Sequence, residues 1–241
     1  MSADHAVHIW WRSTAEMDAA AIAAAASVLS DDERAQYRRF HFARDARDYA
    51  AAHALLRRTL SRFGGRAPAD WRFDKDEHGR PFLVDADGFH AGFSMSHTRG
   101  MVACAVTTNA DIGAGVGVDV ECVDRDVDAA GIAARFFAPA EAARLMQLDE
   151  GARRARFYDF WTLKEALVKA LGTGLATSLN RLAFEVGPDG AIGLDAPADI
   201  APHTWQFGLF VPGPRYRLAV AARRPRSHPA QLVFRSIAHE D

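Results

Sequence analysis

The chain has 241 residues, of which 49% are hydrophobic and 25% are charged. This is the composition of an ordinary globular protein, and it excludes an intrinsically disordered chain. The formal net charge of −2 at pH 7 excludes an overall positive field that would attract nucleic acid. Two cysteines are too few for a disulfide framework, so we expect buried thiols in a cytoplasmic protein.

The first part of the chain alternates strand and helix patterns. Residues 1–5 carry no basic segment and the apolar run 19–26 is too short to span a bilayer, so we expect neither a leader nor a membrane anchor. Ser13-Thr14-Ala15-Glu16 and Ser30-Asp31-Asp32-Glu33 have the capping-box pattern of helix starts. The predicted elements are a strand at 7–11, helices at 15–29 and 45–63, and strands at 81–84, 92–94 and 101–107.

A polar interruption at 108–114 separates two strand patterns and marks the predicted boundary between two halves, 1–112 and 113–241. A gapless overlay of residues 48–60 on 159–171 matches several positions, which is a thin sign of internal duplication. The second half is predicted to contain a strand at 115–121, helices at 127–135, 139–148 and 154–171, and strands at 182–186, 205–211 and 216–222.

The strand Gly117-Val118-Asp119-Val120-Glu121 carries two acids within an apolar segment. Its period of two places Asp119 and Glu121 on one face, about 6.6 Å apart along the strand. Such carboxylates repel each other unless a cation lies between them, and oxygen ligands suit Mg²⁺. The alternative is a surface strand whose exposed face is acidic.

The segment from Trp161 to Lys169 supplies a third acid. At 100° per residue, Trp161, Lys164, Glu165 and Lys169 share one arc of a helix beside an apolar stripe. A carboxylate between two lysines is typical of a site that holds a Mg²⁺-bound diphosphate. The alternative is an ion pair between Glu165 and Lys169 on a solvated helix face.

Together these two segments resemble the signature of the Sfp-type 4′-phosphopantetheinyl transferases, a (V/I)-G-(V/I)-D-(V/I)-E strand followed by a W-x-x-K-E-(A/S)-x-x-K helix. The resemblance covers residues 79–172 and implies an α/β fold of two similar halves, related by a pseudo-twofold axis, with coenzyme A bound in the cleft between them. Three further stretches support it: Gly79-Arg80-Pro81-Phe82, Phe93-Ser94-Met95-Ser96-His97-Thr98, and Arg135-Phe136-Phe137-Ala138-Pro139-Ala140-Glu141.

The resemblance also implies roles for individual residues. Mg²⁺, with Mn²⁺ as a substitute, would be held by Asp119, Glu121 and Glu165. Catalysis would depend on Asp119, Lys164, Glu165 and Lys169, with the two lysines on phosphate oxygens and Glu165 also the candidate base. Coenzyme A would be contacted by Arg47 at the 3′-phosphate and by Arg80, Ser96 and His97. Arg80 departs from the family, which often has lysine there, and either residue can bind phosphate.

By this resemblance the protein moves the 4′-phosphopantetheine arm of coenzyme A to a serine of an apo acyl or peptidyl carrier protein and releases 3′,5′-ADP. The nucleophile then comes from the carrier, which fits the lack of a G-x-S-x-G segment. We expect a cytoplasmic monomer without nucleic-acid or membrane partners. Two alternatives remain open, another Mg²⁺-dependent enzyme acting on a diphosphate, and a non-catalytic module that binds coenzyme A or a carrier.

Overall fold

The computed structural model describes residues 6–125, 127–226 and 228–237, so the expectation about residues 1–5 lies outside the described part. The described residues form a mixed α/β fold. In chain order its strands and α-helices are β1 (Ala6–Ser13), α1 (Ala19–Ser27), α2 (Asp31–Arg38), α3 (Ala43–Gly64), β2 (Arg72–Lys75), β3 (Pro81–Val84), β4 (Gly92–Thr98), β5 (Met101–Thr107), β6 (Val116–Cys122), α4 (Ala129–Phe136), α5 (Pro139–Met146), α6 (Glu150–Leu171), β7 (Ala183–Val186), β8 (Ile192–Asp195), β9 (Trp205–Phe210), β10 (Tyr216–Arg223) and β11 (Gln231–Ser236).

The first sheet has the order β11-β1-β5-β4. β1 pairs antiparallel with β5 and parallel with β11, so the last strand lies beside the first. On one face of β5, Val102, Cys104 and Val106 are buried in the same apolar cluster as the alanines and leucines of α3. Burial of this apolar surface holds α3 on the sheet.

The second sheet has the order β6-β10-β9, and α6 packs across β6 and β10. The helix lies very close to β6, because a Cβ atom placed on Gly117 would stand 2.0 Å from the carbonyl oxygen of Ala166. Glycine is therefore required at this position. The close approach holds the side chains of α6 directly over the acidic strand.

The two sheets meet along β4 and β6. β4 is the outer strand of the first sheet, β6 is the outer strand of the second, and the two strands lie side by side. A cluster of buried apolar residues fills the space between the sheets, and it includes Val118 and Val120. The predicted alternation of the acidic strand is confirmed, since its valines face this core.

Each of these two sheets is covered by a helix of 22 residues, α3 or α6, and each helix ends at a glycine in the left-handed conformation, Gly65 or Gly172. This common arrangement accords with two similar halves. The remaining strands form two small sheets, β2-β3 and β7-β8. The division at residue 112 stays a prediction. β11 returns to the sheet that contains β1, so this sheet has strands from both predicted halves.

Most of the predicted elements are present. The bounds of β3 and β5 match the predicted 81–84 and 101–107, and the capping box at Ser30 and Glu33 is confirmed. The predicted start of the first helix is wrong, because Ser13 ends β1 and Asp18 caps α1 by accepting a hydrogen bond from Ala21 N. The short strands β2, β8 and β11 were not predicted, and β4 extends four residues beyond the predicted 92–94.

Within the described ranges, no helix is both long and apolar enough to cross a bilayer. Cys104 and Cys122 are free and buried, as the sequence predicted. Burial in apolar surroundings raises the pKa of the Cys104 thiol to about 12, so this side chain is an inert part of the core.

Candidate active site

The site is centred on Asp119, in the middle of β6, which is only 5% exposed. Its Oδ1 atom accepts hydrogen bonds from Ser96 Oγ at 2.8 Å and from Lys169 Nζ at 2.7 Å. Lys169 reaches down from α6 and also donates to the carbonyl oxygen of Val118 at 3.1 Å. The second carboxylate oxygen, Oδ2, is buried and has no hydrogen-bond partner among the described residues.

Glu121 and Glu165 both lie close enough to Asp119 to be affected by its charge. Burial raises the pKa of the Glu121 carboxyl, and the charge of Asp119 raises it further, although Arg125 at 3.5 Å acts in the opposite direction. Burial and the charge of Asp119 likewise raise the pKa of Glu165, against the effect of Lys169. Asp119 is thus the common neighbour of two carboxylates that are harder to ionise than free ones.

The donor set suits a divalent cation. Asp119 offers a buried oxygen without a partner, and two further carboxylates feel its charge. Oxygen ligands of this kind bind Mg²⁺ or Mn²⁺. As the side chains stand, no three acids, histidines or cysteines of the described residues are arranged to hold a metal ion, and the ammonium group of Lys169 lies against Asp119.

Two cavities lie along β4, one beside residues 93–95 and the other beside His97 and Thr98. The larger, of about 630 Å³, is lined by Glu165 and Lys169 together with Arg80 and the apolar side chains of Phe93 and Val168. The smaller, of about 330 Å³, is lined by Arg44, Asp45, Asp48, His97, Arg99 and Glu121, among others. The acids therefore lie at the boundary between a mainly apolar cavity and a highly charged one.

Lys164 does not share the position of Glu165 and Lys169, which corrects the predicted common arc. Its side chain is completely buried, and its ammonium group contacts Glu141 Oε2 at 2.7 Å and the carbonyl oxygens of Leu179 and Leu182. Burial lowers the pKa of Lys164, and the carboxylate of Glu141 raises it. Three acceptors enclose this ammonium group, and Lys164 lines neither of the two cavities.

Glu141 belongs to the stretch 135–141 that supported the resemblance, but no role was predicted for it. Its carboxylate is 1% exposed and accepts hydrogen bonds from Ala138 N at 2.9 Å and Phe184 N at 2.7 Å in addition to Lys164. One buried ion pair thereby joins α5, α6 and β7. An acid three residues into a helix that begins with proline was the available signal for its capping role.

Ser96 was predicted to contact phosphate, and that stays a prediction. Its hydroxyl group accepts from Val120 N at 3.3 Å and donates to Asp119 at 2.8 Å, so its single proton is already used. His97, the next residue of β4, points to the opposite side and faces the smaller cavity. Desolvation by the surrounding protein lowers the pKa of His97 more than the charge of Asp48 raises it.

Arg47 was predicted to begin the second helix, but α3 begins at Ala43, so Arg47 lies in its second turn. Its Nε donates to Asp48 Oδ1 at 3.3 Å, and the residue does not line either of these two cavities. Arg44 and Arg99 line the smaller one instead. Asp48 is buried and also accepts from Thr14 and from Gly100 N, so it ties α3 to the turn after β4. The signal for Asp48 was an acid on the apolar side of a helix.

Arg80 extends from the turn before β3 to the end of α6, where its Nη1 donates to the Ala170 carbonyl oxygen at 3.3 Å. Its Nη2 is buried, has no partner among the described residues, and belongs to a side chain that lines the larger cavity. Burial lowers the pKa of this guanidinium group. A buried donor at the wall of a cavity is suited to an anionic ligand.

Two family models match the chain. The model of the 4′-phosphopantetheinyl transferase superfamily matches residues 115–221, and the model of the 4′-phosphopantetheinyl transferase N-terminal region matches residues 11–109. The two matches leave only the ends and a short central segment uncovered, and that segment coincides with the predicted boundary between the halves.

Curated relatives agree with these models. The chain is 33% identical over 172 residues to the 4′-phosphopantetheinyl transferase HetI of Nostoc sp., covering 70% of each protein. It is 29% identical over 199 residues to the 4′-phosphopantetheinyl transferase Sfp of Bacillus subtilis, covering 83% of this chain and 84% of that protein.

Among solved structures, a holo-[acyl-carrier-protein] synthase from Neisseria meningitidis matches with a TM-score of 0.39 and 17% identity, over 46% of this chain and 97% of that one. A Bacillus anthracis synthase in complex with CoA (3′,5′-ADP) matches with a TM-score of 0.38 and 18% identity, over 45% of this chain and 94% of that one. Each of these shorter proteins corresponds to less than half of the present chain.

Proposed function

The chain belongs to the 4′-phosphopantetheinyl transferase superfamily, and on that premise we propose that it transfers the 4′-phosphopantetheine arm of coenzyme A to a serine of an acyl or peptidyl carrier protein and releases 3′,5′-ADP. The observation that carries this proposal is that Glu165 and Lys169 line a cavity of about 630 Å³ and that Lys169 is paired with the buried Asp119. These residues come from a strand and a helix that Gly117 brings into backbone contact.

In this proposal a divalent cation, Mg²⁺ or Mn²⁺, is held by Asp119, Glu121 and Glu165. Such a cation neutralises the charge of pyrophosphate oxygens and of the departing phosphate group. The support is the buried Oδ2 atom of Asp119, which has no hydrogen-bond partner among the described residues, and the effect of the Asp119 charge on Glu121 and Glu165.

The reaction exchanges one phosphorus–oxygen bond for another. The serine oxygen of the carrier forms a bond to the phosphorus that bears the pantetheine arm, and the bond from that phosphorus to the bridging oxygen breaks, so that 3′,5′-ADP leaves. Glu165 is the candidate acceptor of the serine proton, and burial makes its carboxylate more basic than a free one. Lys169, which is 31% exposed, can turn from Asp119 to a phosphate oxygen.

Coenzyme A would be bound by cationic and hydrogen-bonding groups on both sides of the acids. Arg80 offers its unpartnered Nη2 to a phosphate group at the larger cavity. His97, Arg44 and Arg99 line the smaller cavity. His97 remains a candidate there, and the two arginines are added to Arg47 as candidates for the 3′-phosphate. We assign Lys164 a structural role, because its ammonium group is enclosed by three acceptors.

The test is incubation of the purified protein with coenzyme A, Mg²⁺ and an apo carrier protein, with mass spectrometry of the carrier. We expect the mass of one phosphopantetheine arm on the acceptor serine and an equal amount of 3′,5′-ADP. Nucleotide release without carrier modification would favour another diphosphate-cleaving enzyme. Binding of coenzyme A without turnover would favour a non-catalytic module.

The acid at the centre of the site provides the matching variant. We expect Asp119→Asn to lower turnover by more than the roughly 10–100-fold typical of a residue that only orients a ligand, while circular dichroism stays that of the wild type. Glu185→Gln is the control, because this glutamate is exposed and its ion pair with Arg144 lies on the surface. An Asp119→Asn protein with near-normal turnover would contradict the proposed site.

A further inference from the structure

Three hydroxyl-bearing side chains join the two sheets. Ser94, Ser96 and Thr98 occupy alternate positions of β4, and each is 8% exposed. Their hydroxyl oxygens accept hydrogen bonds from successive alternate amides of β6, those of Val118 at 3.1 Å, Val120 at 3.3 Å and Cys122 at 3.2 Å. We call these three residues the hydroxyl ladder.

The hydroxyl ladder has a regular geometry. Each pair is separated by 24 residues along the chain, so β4 and β6 run in parallel with a fixed register. In a continuous sheet, carbonyl oxygens would accept from these amides. Here side-chain oxygens accept from them instead, which satisfies the buried N–H groups of β6 at the junction between two separate sheets.

Two members of the ladder also contact the acids of the site. Ser96 donates its hydroxyl proton to Asp119 Oδ1 at 2.8 Å, and Thr98 donates to Glu121 Oε2 at 3.2 Å. In both cases the acid is the residue just before the one whose amide donates to the hydroxyl oxygen, Asp119 before Val120 and Glu121 before Cys122. The same relation would pair Ser94 with residue 117, which is glycine and has no side chain to receive a proton.

The direction of each proton is set by this double contact. A hydroxyl group has one proton to donate, and an amide N–H can only donate, so the amide occupies the oxygen and leaves the proton for the carboxylate. A carboxylate that accepts such a bond loses rotational freedom about its side-chain bonds. With Oδ1 of Asp119 held by Ser96 and Lys169, the orientation of the unpartnered Oδ2 is fixed as well.

We propose that Ser96 and Thr98 are positioning residues, which fix the carboxylates of Asp119 and Glu121 for the divalent cation from the junction between the two sheets. This inference rests on the proposed function, since it assigns a purpose to the orientation of the acids. It also gives Ser96 a task other than phosphate binding. A ladder that served only to join the sheets would treat its three members alike, whereas the two that contact acids differ from Ser94.

That difference supplies the experiment. Ser96→Ala, Thr98→Val and the control Ser94→Ala each remove one link of the ladder, but only the first two remove a hydrogen bond to an acid. Thr98→Ser keeps the hydroxyl group that Thr98→Val removes. For each full-length protein, without coenzyme A, the dissociation constant of Mn²⁺ is measured by electron paramagnetic resonance, and the midpoint of thermal unfolding is measured without metal.

We expect Ser96→Ala and Thr98→Val to weaken Mn²⁺ binding by roughly 10–100-fold, the usual effect of losing a partner that orients a metal ligand. Ser94→Ala should lower the unfolding midpoint to a similar degree and leave Mn²⁺ binding unchanged, and Thr98→Ser should bind Mn²⁺ like the wild type. Thr98→Val preserves the shape of the side chain, so it serves if Ser96→Ala does not fold.

Two results would overturn the inference, and they differ in what else they overturn. If the wild type binds Mn²⁺ but Ser96→Ala and Thr98→Val bind it equally well, the ladder only joins the sheets and the proposed function stands. If the wild type itself binds no Mn²⁺, the proposed metal site fails and the inference fails with it.

Discussion

Replacement of Lys164 by methionine tests whether this lysine stabilises the fold or contacts phosphate. The ammonium group is enclosed by Glu141 Oε2 at 2.7 Å, the Leu179 carbonyl oxygen at 2.9 Å and the Leu182 carbonyl oxygen. Lys164→Met fills a similar volume but leaves the carboxylate of Glu141 buried without its cation. Breaking a buried ion pair from one side costs about 3–5 kcal/mol.

The structure favours the lower end of that range. Glu141 keeps hydrogen bonds from Ala138 N and Phe184 N after the substitution, and these continue to stabilise its charge. We therefore expect Lys164→Met to lower the free energy of unfolding by about 3 kcal/mol, a large part of the roughly 5–15 kcal/mol of a typical domain. Urea denaturation followed by tryptophan fluorescence measures this quantity.

Two further variants sharpen the test. Glu141→Gln in combination with Lys164→Met should cost less than the sum of the two single changes, with a coupling free energy of about 1–3 kcal/mol. Lys169→Met makes the same substitution on the same helix at a partly exposed position, and Ser96 continues to donate to Asp119, so it should cost less stability than Lys164→Met and abolish most turnover. Normal stability with lost turnover in Lys164→Met would refute the structural role and favour contact with phosphate.

Three other outcomes are expected. Arg44→Ala should raise KM for coenzyme A more than KM for dephospho-coenzyme A, and Arg47→Ala serves as the comparison; equal effects on both substrates would exclude these arginines from the 3′-phosphate. Gly117→Ala should lower the free energy of unfolding by at least about 3 kcal/mol, because its Cβ would meet backbone that cannot move aside. Gly193→Ala on β8 is the control and should be tolerated in the same urea titration, because its Cβ would make an ordinary contact at 3.9 Å. Burial raises the pKa of Glu33, but His53, the Ser30 amide and Arg57 together lower this pKa to about 2. The pKa of the same carboxyl group is higher in the unfolded chain. The stability that Glu33 contributes is therefore present above about pH 4.5 and is lost as the pH falls towards 2. Glu33→Gln should flatten the dependence of unfolding on pH in that window, and an unchanged slope would contradict the assignment.

The sequence could predict what depends on local periodicity. The alternation of β6 places Val118 and Val120 in the core, and the same alternation keeps Asp119 and Glu121 together. Hydrophobic periodicity also predicted the long helices α3 and α6. These features depend on residues that are close in the chain. The repeat of two residues in a strand and of 3.6 residues in a helix is therefore visible in the sequence itself.

The sequence could not predict partners that arrive from distant segments. Lys164 lies only 100° from Glu165 around the helix, and the carboxylate that draws it into the interior comes from α5. The hydroxyl of Ser96 is committed to β6, 24 residues away in the chain. β11 was missed because its partner β1 lies at the other end of the sequence, and only that pairing makes the short segment a strand.

The return of β11 to β1 has a consequence for dividing the protein. A fragment ending near residue 112 would contain β1 and β5 but would lack β11, so β1 would become an edge strand. Its residues from Ala6 to Ile9 are mostly apolar and buried in the whole chain, and they pair along their length with Gln231 to Phe234. An uncovered edge of this kind recruits strands from other molecules. The isolated first half should therefore aggregate through this edge.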